Sequence, residues 1–423
     1  MNFLNVIIRR NPSLIKVAVE MHQEGLIPPN TVVVDLDTVR KNALVIKGEA
    51  DRYGISCYFM TKQFGRNPLV SKVISDLGLK SVAVDIEDVK CLHKYGIPIG
   101  HVGHLSQIPR NEIEYVLKEV TPEVITVYSI EKAMQISKIA SKLGIKQKLL
   151  IRPIGRGDFF YPCQEGGIPE KEIIEATRTI NSFPNVRVVG VTSFPCFRFN
   201  YFTRKVEPLP NLDTIVRVAK TLEEKLGLTI EQINAPADNS AKTMEILHEK
   251  GATHAEPGHA FTGTTPWHAF EDLPEVPAWI YVTEVSHILG DTAYVFGGNF
   301  MPTDMCIGIW DYKYHQFRIQ ALVGSDPESI INSEIYGYII PGYFDYYEPL
   351  FLNDKVRVNI GDTVVMGLRN QVFATRAKIA IIRGISEGRP ELLGIFDRCG
   401  NMLGEHDVPV NIDEVKALLK RLY

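Results

Sequence analysis

The sequence predicts a (β/α)8 barrel followed by an all-β domain, and three observations carry that prediction. Eight short apolar runs alternate with segments of helical period between residues 57 and 256. Val124-Ile125-Thr126-Val127 and Leu149-Leu150-Ile151 are continuous runs of the kind that parallel strands buried on both faces require. From about residue 273 the texture changes to short strands separated by turns, and no long helical pattern returns until Ile412–Leu422.

Taken in order, residues 1–30 read as an amphipathic N-terminal arm. Residues 31–272 form the barrel domain, and 273–423 a β domain with a terminal helix. The first strand, 31–36, is also suited to pairing into the β domain. The barrel runs fall at 57–61, 81–84, 99–102, 124–127, 147–152, 187–191, 230–235 and 253–256. Helices are expected at 67–77, 86–95, 110–118, 130–143, 170–182, 211–226 and 241–250, with Asp85 and Ser129 placed as N-caps. The eighth helix is a weak pattern after Pro266, Trp267-His268-Ala269-Phe270. Strands are expected at Trp279–Val285, Thr292–Phe296 and Cys306–Trp310, and again around the Gly361-Asp362 turn.

Composition limits the function classes. A chain of 423 residues suits two domains, and 45% hydrophobic with 23% charged residues is globular. A net charge of −4 gives no electrostatic case for nucleic acid or an anionic membrane. The six cysteines form no CxxC pair, which favours reduced thiols. The N-terminus does not read as a signal peptide, and no apolar run approaches the ~18 residues of a membrane span. A cytoplasmic protein is expected.

In a (β/α)8 barrel the chemistry collects at the C-terminal strand ends. Lys62, Arg152, Phe194, Ala235-Pro236 and Glu256 fall there. An amine fixed and partly desolvated at such an end suits Schiff-base chemistry on pyridoxal phosphate. Asn239-Ser240 before a helix, with Gly258 nearby, offers N–H donors and a hydroxyl to a phosphate, and Arg66 in the turn after Lys62 is a further partner for it. His101 and His104 flank Gly103, but no third ligand stands at useful spacing, so they read as loop histidines or neighbours of a site and no metal is expected. Arg156-Gly157-Asp158 reads as incidental. HExxH, GxSxG and Walker-type loops are absent, which leaves metalloprotease, serine hydrolase and NTPase readings without footing.

Several local motifs, in order over residues ~30 to ~380, resemble the fold-type III pyridoxal-phosphate enzymes, the alanine racemases and the ornithine/diaminopimelate-type decarboxylases. Val33-Val34-Asp35-Leu36-Asp37 is similar to their opening strand, and Tyr58-Phe59-Met60-Thr61-Lys62 to the strand ending in the cofactor lysine. The stretch from Val189 to Phe194 resembles the strand that normally ends in a histidine over the cofactor ring. Asn239-Ser240-Ala241 resembles the element near the phosphate, and Ala255-Glu256-Pro257-Gly258-His259 the decarboxylases' "AEPGR". The resemblance implies that Lys62 carries pyridoxal 5'-phosphate, with Arg66, Phe194, Asn239, Ser240, Gly258 and His259 around it. Glu256 would then hold the pyridine nitrogen as a pyridinium, where racemases have an arginine. Gly155-Arg156-Gly157 resembles a racemase loop whose arginine touches cofactor or substrate, with Arg152 the competing residue.

Departures from the pattern bear on the reaction. Phe296 falls where racemases place a catalytic tyrosine, and the decarboxylases' Cys-Asp signature is missing. Near its place stands Pro341–Glu348, where Asp345 is a candidate to meet a substrate amine, with Tyr343 or Tyr346 as an acid. The expectation is a homodimer with active sites at its interface, acting at the Cα of an amino acid. A racemase is placed ahead of a decarboxylase or lyase, and a non-catalytic pyridoxal-phosphate protein behind both.

Overall fold

The computed structural model describes residues 3–298, 309–311, 316–339, 345–369 and 371–422. The chain divides into two compact units, residues 45–61 with 74–258, and residues 1–44 with 62–73 and 259–423. Among the described residues, no helix is long and apolar enough to cross a membrane.

The first strand of the chain, β1 (Thr31–Asp35), takes no part in the barrel. The barrel closes through eight parallel strands: β2 (Ser56–Met60), β3 (Lys80–Ala83), β4 (Ile99–Val102), β5 (Val124–Val127), β6 (Gln147–Ile151), β7 (Val186–Thr192), β8 (Gln232–Asn234) and β9 (His254–Ala255). These are the eight apolar runs. All four residues of β4 and of β5 are buried, as a sheet covered on both faces demands. Closure comes between β9 and β2, where Ala255 pairs with Cys57 and the Met60 N–H donates to the Pro257 carbonyl at 2.9 Å.

The caps explain where the helices begin. The Asp85 side chain accepts the Asp88 N–H at 2.8 Å, and Ser129 Oγ accepts that of Lys132 at 3.2 Å. Gly144, in the left-handed region at φ 68°, ends the helix Ile130–Leu143. The segment expected as one helix at 110–118 is instead a 3-10 turn, one α turn and a π-helical end closed by Thr121 at φ 51°. The weak eighth pattern forms only a 3-10 turn, Pro266–Ala269, because Pro274 stops any longer helix.

The other unit is built on a sheet that has 11 strands among the described residues. It contains β1 with β10 (Trp279–Leu289), β11 (Thr292–Phe296), β12 (Ile309–Asp311), β13 (Gln316–Gly324), β14 (Glu334–Ile339), β15 (Tyr347–Phe351), β16 (Thr363–Met366), β17 (Lys378–Arg383), β18 (Glu391–Phe396) and β19 (Met402–Leu403). Its order is β11-β15-β14-β13-β16-β10-β1-β17-β18-β19, with β12 on β13 and a further β10–β11 pairing. β1 lies antiparallel to β10 and parallel to β17. A strand buried on every residue, Thr31-Val32-Val33-Val34-Asp35, satisfies its backbone by taking a partner on each side. The N-terminal segment is two helices, Phe3–Arg10 and Pro12–Gln23, with Phe3, Leu4, Val6 and Ile7 buried. Arg9 pairs with Asp272, and Arg10 Nη1 donates to the Leu273 and Glu275 carbonyls.

Candidate active site

Glu256 follows β9 directly and is buried. Three strands converge on it. His101 of β4 lies with Nδ1 2.6 Å from Glu256 Oε1, and Asn234 of β8 donates Nδ2–H to the same oxygen at 2.6 Å. The other imidazole nitrogen of His101, Nε2, is 2.6 Å from Thr126 Oγ1 on β5. His104 follows β4 through Gly103, whose φ of +84° and whose 2.7 Å approach of a would-be Cβ to the Thr126 carbonyl admit only glycine. His104 Nε2 reaches within 3.4 Å of Glu256 Oε2, and that oxygen has no hydrogen-bond partner among the described residues. Burial alone pushes the Glu256 carboxyl up. The charges of His104 and His101, with hydrogen bonds from His101 and Asn234, overcome that and hold it at about 2.

This corrects the sequence reading of the two histidines. His101 is on a strand, and the third group missing from the local spacing is Glu256, brought in by barrel closure. The ligand atoms of His101, His104 and Glu256 lie within 4.8 Å of one another. As it stands, Oε1 accepts from two donors and the cluster is a hydrogen-bonded carboxylate. Thr126 and Asn234 escaped the sequence reading. Thr126 is marked only as a polar residue inside an apolar strand, and Asn234, in the polar run Glu231-Gln232-Ile233-Asn234, carries no such signal.

The remaining barrel residues sort by what they touch. Phe194 is half-buried beyond β7, its ring edge-on to His104 with centroids 5.5 Å apart. Arg152 is fully buried and donates to Tyr128 Oη at 2.6 Å, the Gln164 carbonyl at 3.0 Å and the Phe194 carbonyl at 2.9 Å. Arg156, in contrast, is exposed on a turn, and Asp158 accepts the Gly155 N–H at 2.8 Å and the Thr214 hydroxyl. Arg152 ties together the loops after β5, β6 and β7. We expect Arg152→Met to lower stability by about 3 kcal/mol by leaving buried acceptors without a donor, checked by chemical denaturation. Asn239 is buried beside Glu256. It accepts the Glu256 N–H at 2.9 Å and donates to the Ala235 carbonyl, fixing the strand end. Ser240 and Gly258 are buried. Thr192 Oγ1, at the end of β7, is buried without a hydrogen-bond partner among the described residues.

The other unit carries Lys62, Arg66 and His259. Lys62 begins the 3-10 turn Lys62–Phe64, two residues past β2, and is 8% exposed. Arg66 is buried at φ 55°, its guanidinium 5.3 Å from the Phe373 ring centroid. The His259 imidazole is held well below its ordinary range, first by burial and then by the Arg369, Lys62 and His268 charges. It is therefore neutral, unlike the arginine of the "AEPGR" pattern. Its Nδ1 lies 3.1 Å from Thr264 Oγ1, and Nε2 has no hydrogen-bond partner among the described residues. Arg369 was not foreseen from the sequence.

Asp345 is engaged within its own unit. Arg376 Nη2 donates to its carboxylate at 2.8 Å and to its carbonyl at 2.7 Å. Burial first, then the charge and hydrogen bond of Asp345, push the Glu348 carboxyl up to about 9 against the pull of Arg376. A raised folded value means stability is lost as pH rises from 4.5 through about 9. Glu348→Gln should thus gain on the wild type by on the order of 2 kcal/mol between pH 5 and pH 8, read from denaturation at both. Tyr346 is 73% exposed, and Tyr343 lies outside the described residues.

A cavity of about 660 Å³ opens at the opposite, N-terminal end of the barrel, lined by Cys57, Lys80, Glu123, Lys148, Glu231 and His254 among others. Its charges pair with one another, Lys80 with Glu123 and Lys148 with Glu231. Burial pushes the Cys57 thiol up to about 12, so it stays protonated and offers no nucleophile there.

The barrel unit offers an open carboxylate oxygen on Glu256 and an orphaned hydroxyl on Thr192, and the other unit a neutral imidazole on His259 and a buried amine on Lys62. Each unit by itself offers groups of the kind pyridoxal phosphate takes: the barrel unit an acceptor suited to a ring nitrogen, the other unit an amine suited to an aldehyde.

Comparison with known proteins agrees with this fit. "Uncharacterized protein YhfX" of Escherichia coli (strain K12) is 35% identical over 404 residues, covering 95% of this chain and 100% of that protein. Residues 280–392 match the YhfX-like C-terminal domain. Diaminopimelate decarboxylase from Helicobacter pylori, solved with L-lysine, superposes with a TM-score of 0.62 at 16% identity, over 96% of this chain and 100% of that one. Alanine racemase of Clostridium difficile 630, solved with cycloserine, gives 0.60 at 16%, over 88% and 98%. At such identities these two structures speak for the fold. Residues 34–266 match the alanine racemase N-terminal domain, more than half of the chain, and the protein therefore belongs to that fold-type III family, which binds pyridoxal phosphate.

Proposed function

We propose that this protein is a pyridoxal-phosphate-dependent amino-acid racemase, working as a homodimer, with Lys62 as the lysine that carries the cofactor. Glu256, a buried carboxylate with one oxygen committed to His101 and Asn234, carries the assignment of the cofactor site, and the missing Cys-Asp signature of the decarboxylases is what puts racemisation first. When bound, pyridoxal phosphate supplies an electron sink for charge developing at a substrate Cα. The chain's own residues do the rest. Glu256 Oε2 accepts from a protonated ring nitrogen and keeps the proton there. Thr192, Ser240 and neutral His259 bind the phosphate, and Lys62 takes and returns a proton at one face of Cα. The racemases' tyrosine position holds Phe296, which has no proton to give, so the second face needs another acid. Tyr346, exposed beside Arg376-anchored Asp345, is the residue we assign to it, presented to a second copy of the chain.

A decarboxylase is the second reading, and Glu256 favours it, since a pyridinium is the stronger sink for the electrons left by departing carbon dioxide. One experiment separates the two. The purified protein should be yellow, and borohydride should fix the cofactor at Lys62. Incubation of holo-protein with L- and D-amino acids in deuterated water should then yield the opposite enantiomer labelled at Cα. Carbon dioxide release without enantiomer exchange would sink the racemase and install the decarboxylase. A colourless protein that gains no visible band with added cofactor would overturn both.

A further inference from the structure

We infer that Thr126 and His101 form a two-step hydrogen-bond relay that orients Glu256, making His101 a positioning residue for the protonation of the cofactor's ring nitrogen. The inference rests on the proposed cofactor site and goes beyond it, to the residues that set the charge of that site.

The geometry assigns the hydrogen atoms. Glu256 Oε1 receives Asn234 Nδ2–H at 2.6 Å, so that oxygen is acting as an acceptor. An ionised carboxylate oxygen only accepts, so His101 Nδ1, 2.6 Å from the same oxygen, is its second donor. The other ring nitrogen, Nε2, is 2.6 Å from Thr126 Oγ1, so the Thr126 hydroxyl fixes the far side of the ring. The chain of hydrogen bonds runs from Thr126 through His101 to Oε1. Any proton on the Glu256 carboxyl is confined to Oε2. That is the open oxygen, which Oε1's two donors turn toward His104.

Four residues from four strands take part, β4, β5, β8 and the end of β9. Each of His101, Thr126 and Asn234 is completely buried. The barrel core therefore gives three polar positions to one carboxylate, the kind of outer support that orients a reacting group. The titratable groups facing His101 are Glu256, His104 and Tyr58, whose ring centroid lies 5.9 Å away on β2, with His254 of β9 stacked on the far side of Tyr58.

The test uses holo-protein and four variants: His101→Leu, His101→Asn, Thr126→Val and Thr126→Ser. Borohydride fixation at Lys62 is measured first on the wild type. Cofactor affinity and the visible absorption band are then followed from pH 5 to pH 9. His101→Leu should bind pyridoxal phosphate about tenfold more weakly, the scale of lost outer partners of a site. The pH at which its ring-nitrogen-sensitive band changes should move toward acid. Asparagine keeps a donor near Nδ1 and should restore most of both. Thr126→Val, nearly isosteric and so expected to fold, should shift the band in the same direction by less, and Thr126→Ser should not. If the wild type fixes no cofactor at Lys62, the site itself falls and the relay with it. If the cofactor is fixed but the folded Thr126→Val and His101→Leu proteins keep the wild-type band and affinity, the relay alone is overturned.

Discussion

Lys62→Ala should yield a folded protein that no longer carries cofactor through gel filtration, gives no borohydride-stable label at residue 62 and turns over at least about 10⁴-fold more slowly. The size of the effect comes from losing two roles at once. The amine is the covalent anchor, and in the proposed reaction it is also the base at one face of Cα. An exogenous amine can restore part of the second role but none of the first. Partial rescue of turnover by methylamine, without recovery of the label, would therefore separate them. The substitution should be tolerated by the fold, because Lys62 starts a short 3-10 turn rather than a packed strand. A Lys62→Ala protein that keeps its colour after gel filtration and its turnover would place the cofactor elsewhere.

Glu256→Gln is the second large effect. Glutamine can still present a carbonyl oxygen to His101 and Asn234, so the donors that grip Oε1 keep their partner. Its amide nitrogen then falls at the open position, where it donates instead of accepting. A ring nitrogen there is no longer held protonated, and turnover should drop by about 10²–10³-fold, the scale of a lost electrostatic partner at a reacting centre. The same substitution exposes a pH dependence. The Glu256 carboxyl is held at about 2 in the fold, against an ordinary 4.5. A depressed value contributes stability that is present above pH 4.5 and is lost as pH falls from there toward 2. The wild type should lead Glu256→Gln by about 3 kcal/mol at pH 6, and the lead should vanish near about pH 2 to 3 in urea titrations. An unchanged lead on acidification would mean that the carboxylate is not what the histidines hold.

The barrel was legible because parallel strands buried on both faces leave a local mark, a short apolar run, and each of the eight runs became a strand. Asp85 and Ser129 were equally legible, since a cap is a contact over three residues. The ends of the barrel were legible as a list of residues but not as contacts. His101 and Glu256 are 155 positions apart, and nothing in the spacing around His101 shows that barrel closure joins them. The motif around Asn239 was legible, but not that its amide accepts the Glu256 N–H and donates to the Ala235 carbonyl. Arg156 and Arg152 could not be ranked from sequence, because exposure and not residue type distinguishes them. The segment expected as one helix at 110–118 is helical throughout but passes from a 3-10 turn through one α turn to a π-helical end, which the periodicity does not distinguish.

The position of β1 has a consequence for synthesis on the ribosome. Its antiparallel partner, β10, begins at Trp279, and its parallel partner, β17, begins at Lys378. The strand Thr31–Asp35 is thus made early and completed late, whereas every strand of the barrel has been translated by residue 255. For most of elongation a fully apolar Val32-Val33-Val34 segment waits with one or both edges unpaired, open to the wrong neighbour. A nascent chain released before Lys378 would carry that strand as a permanent unpaired edge, so premature termination should give aggregates rather than a smaller soluble protein.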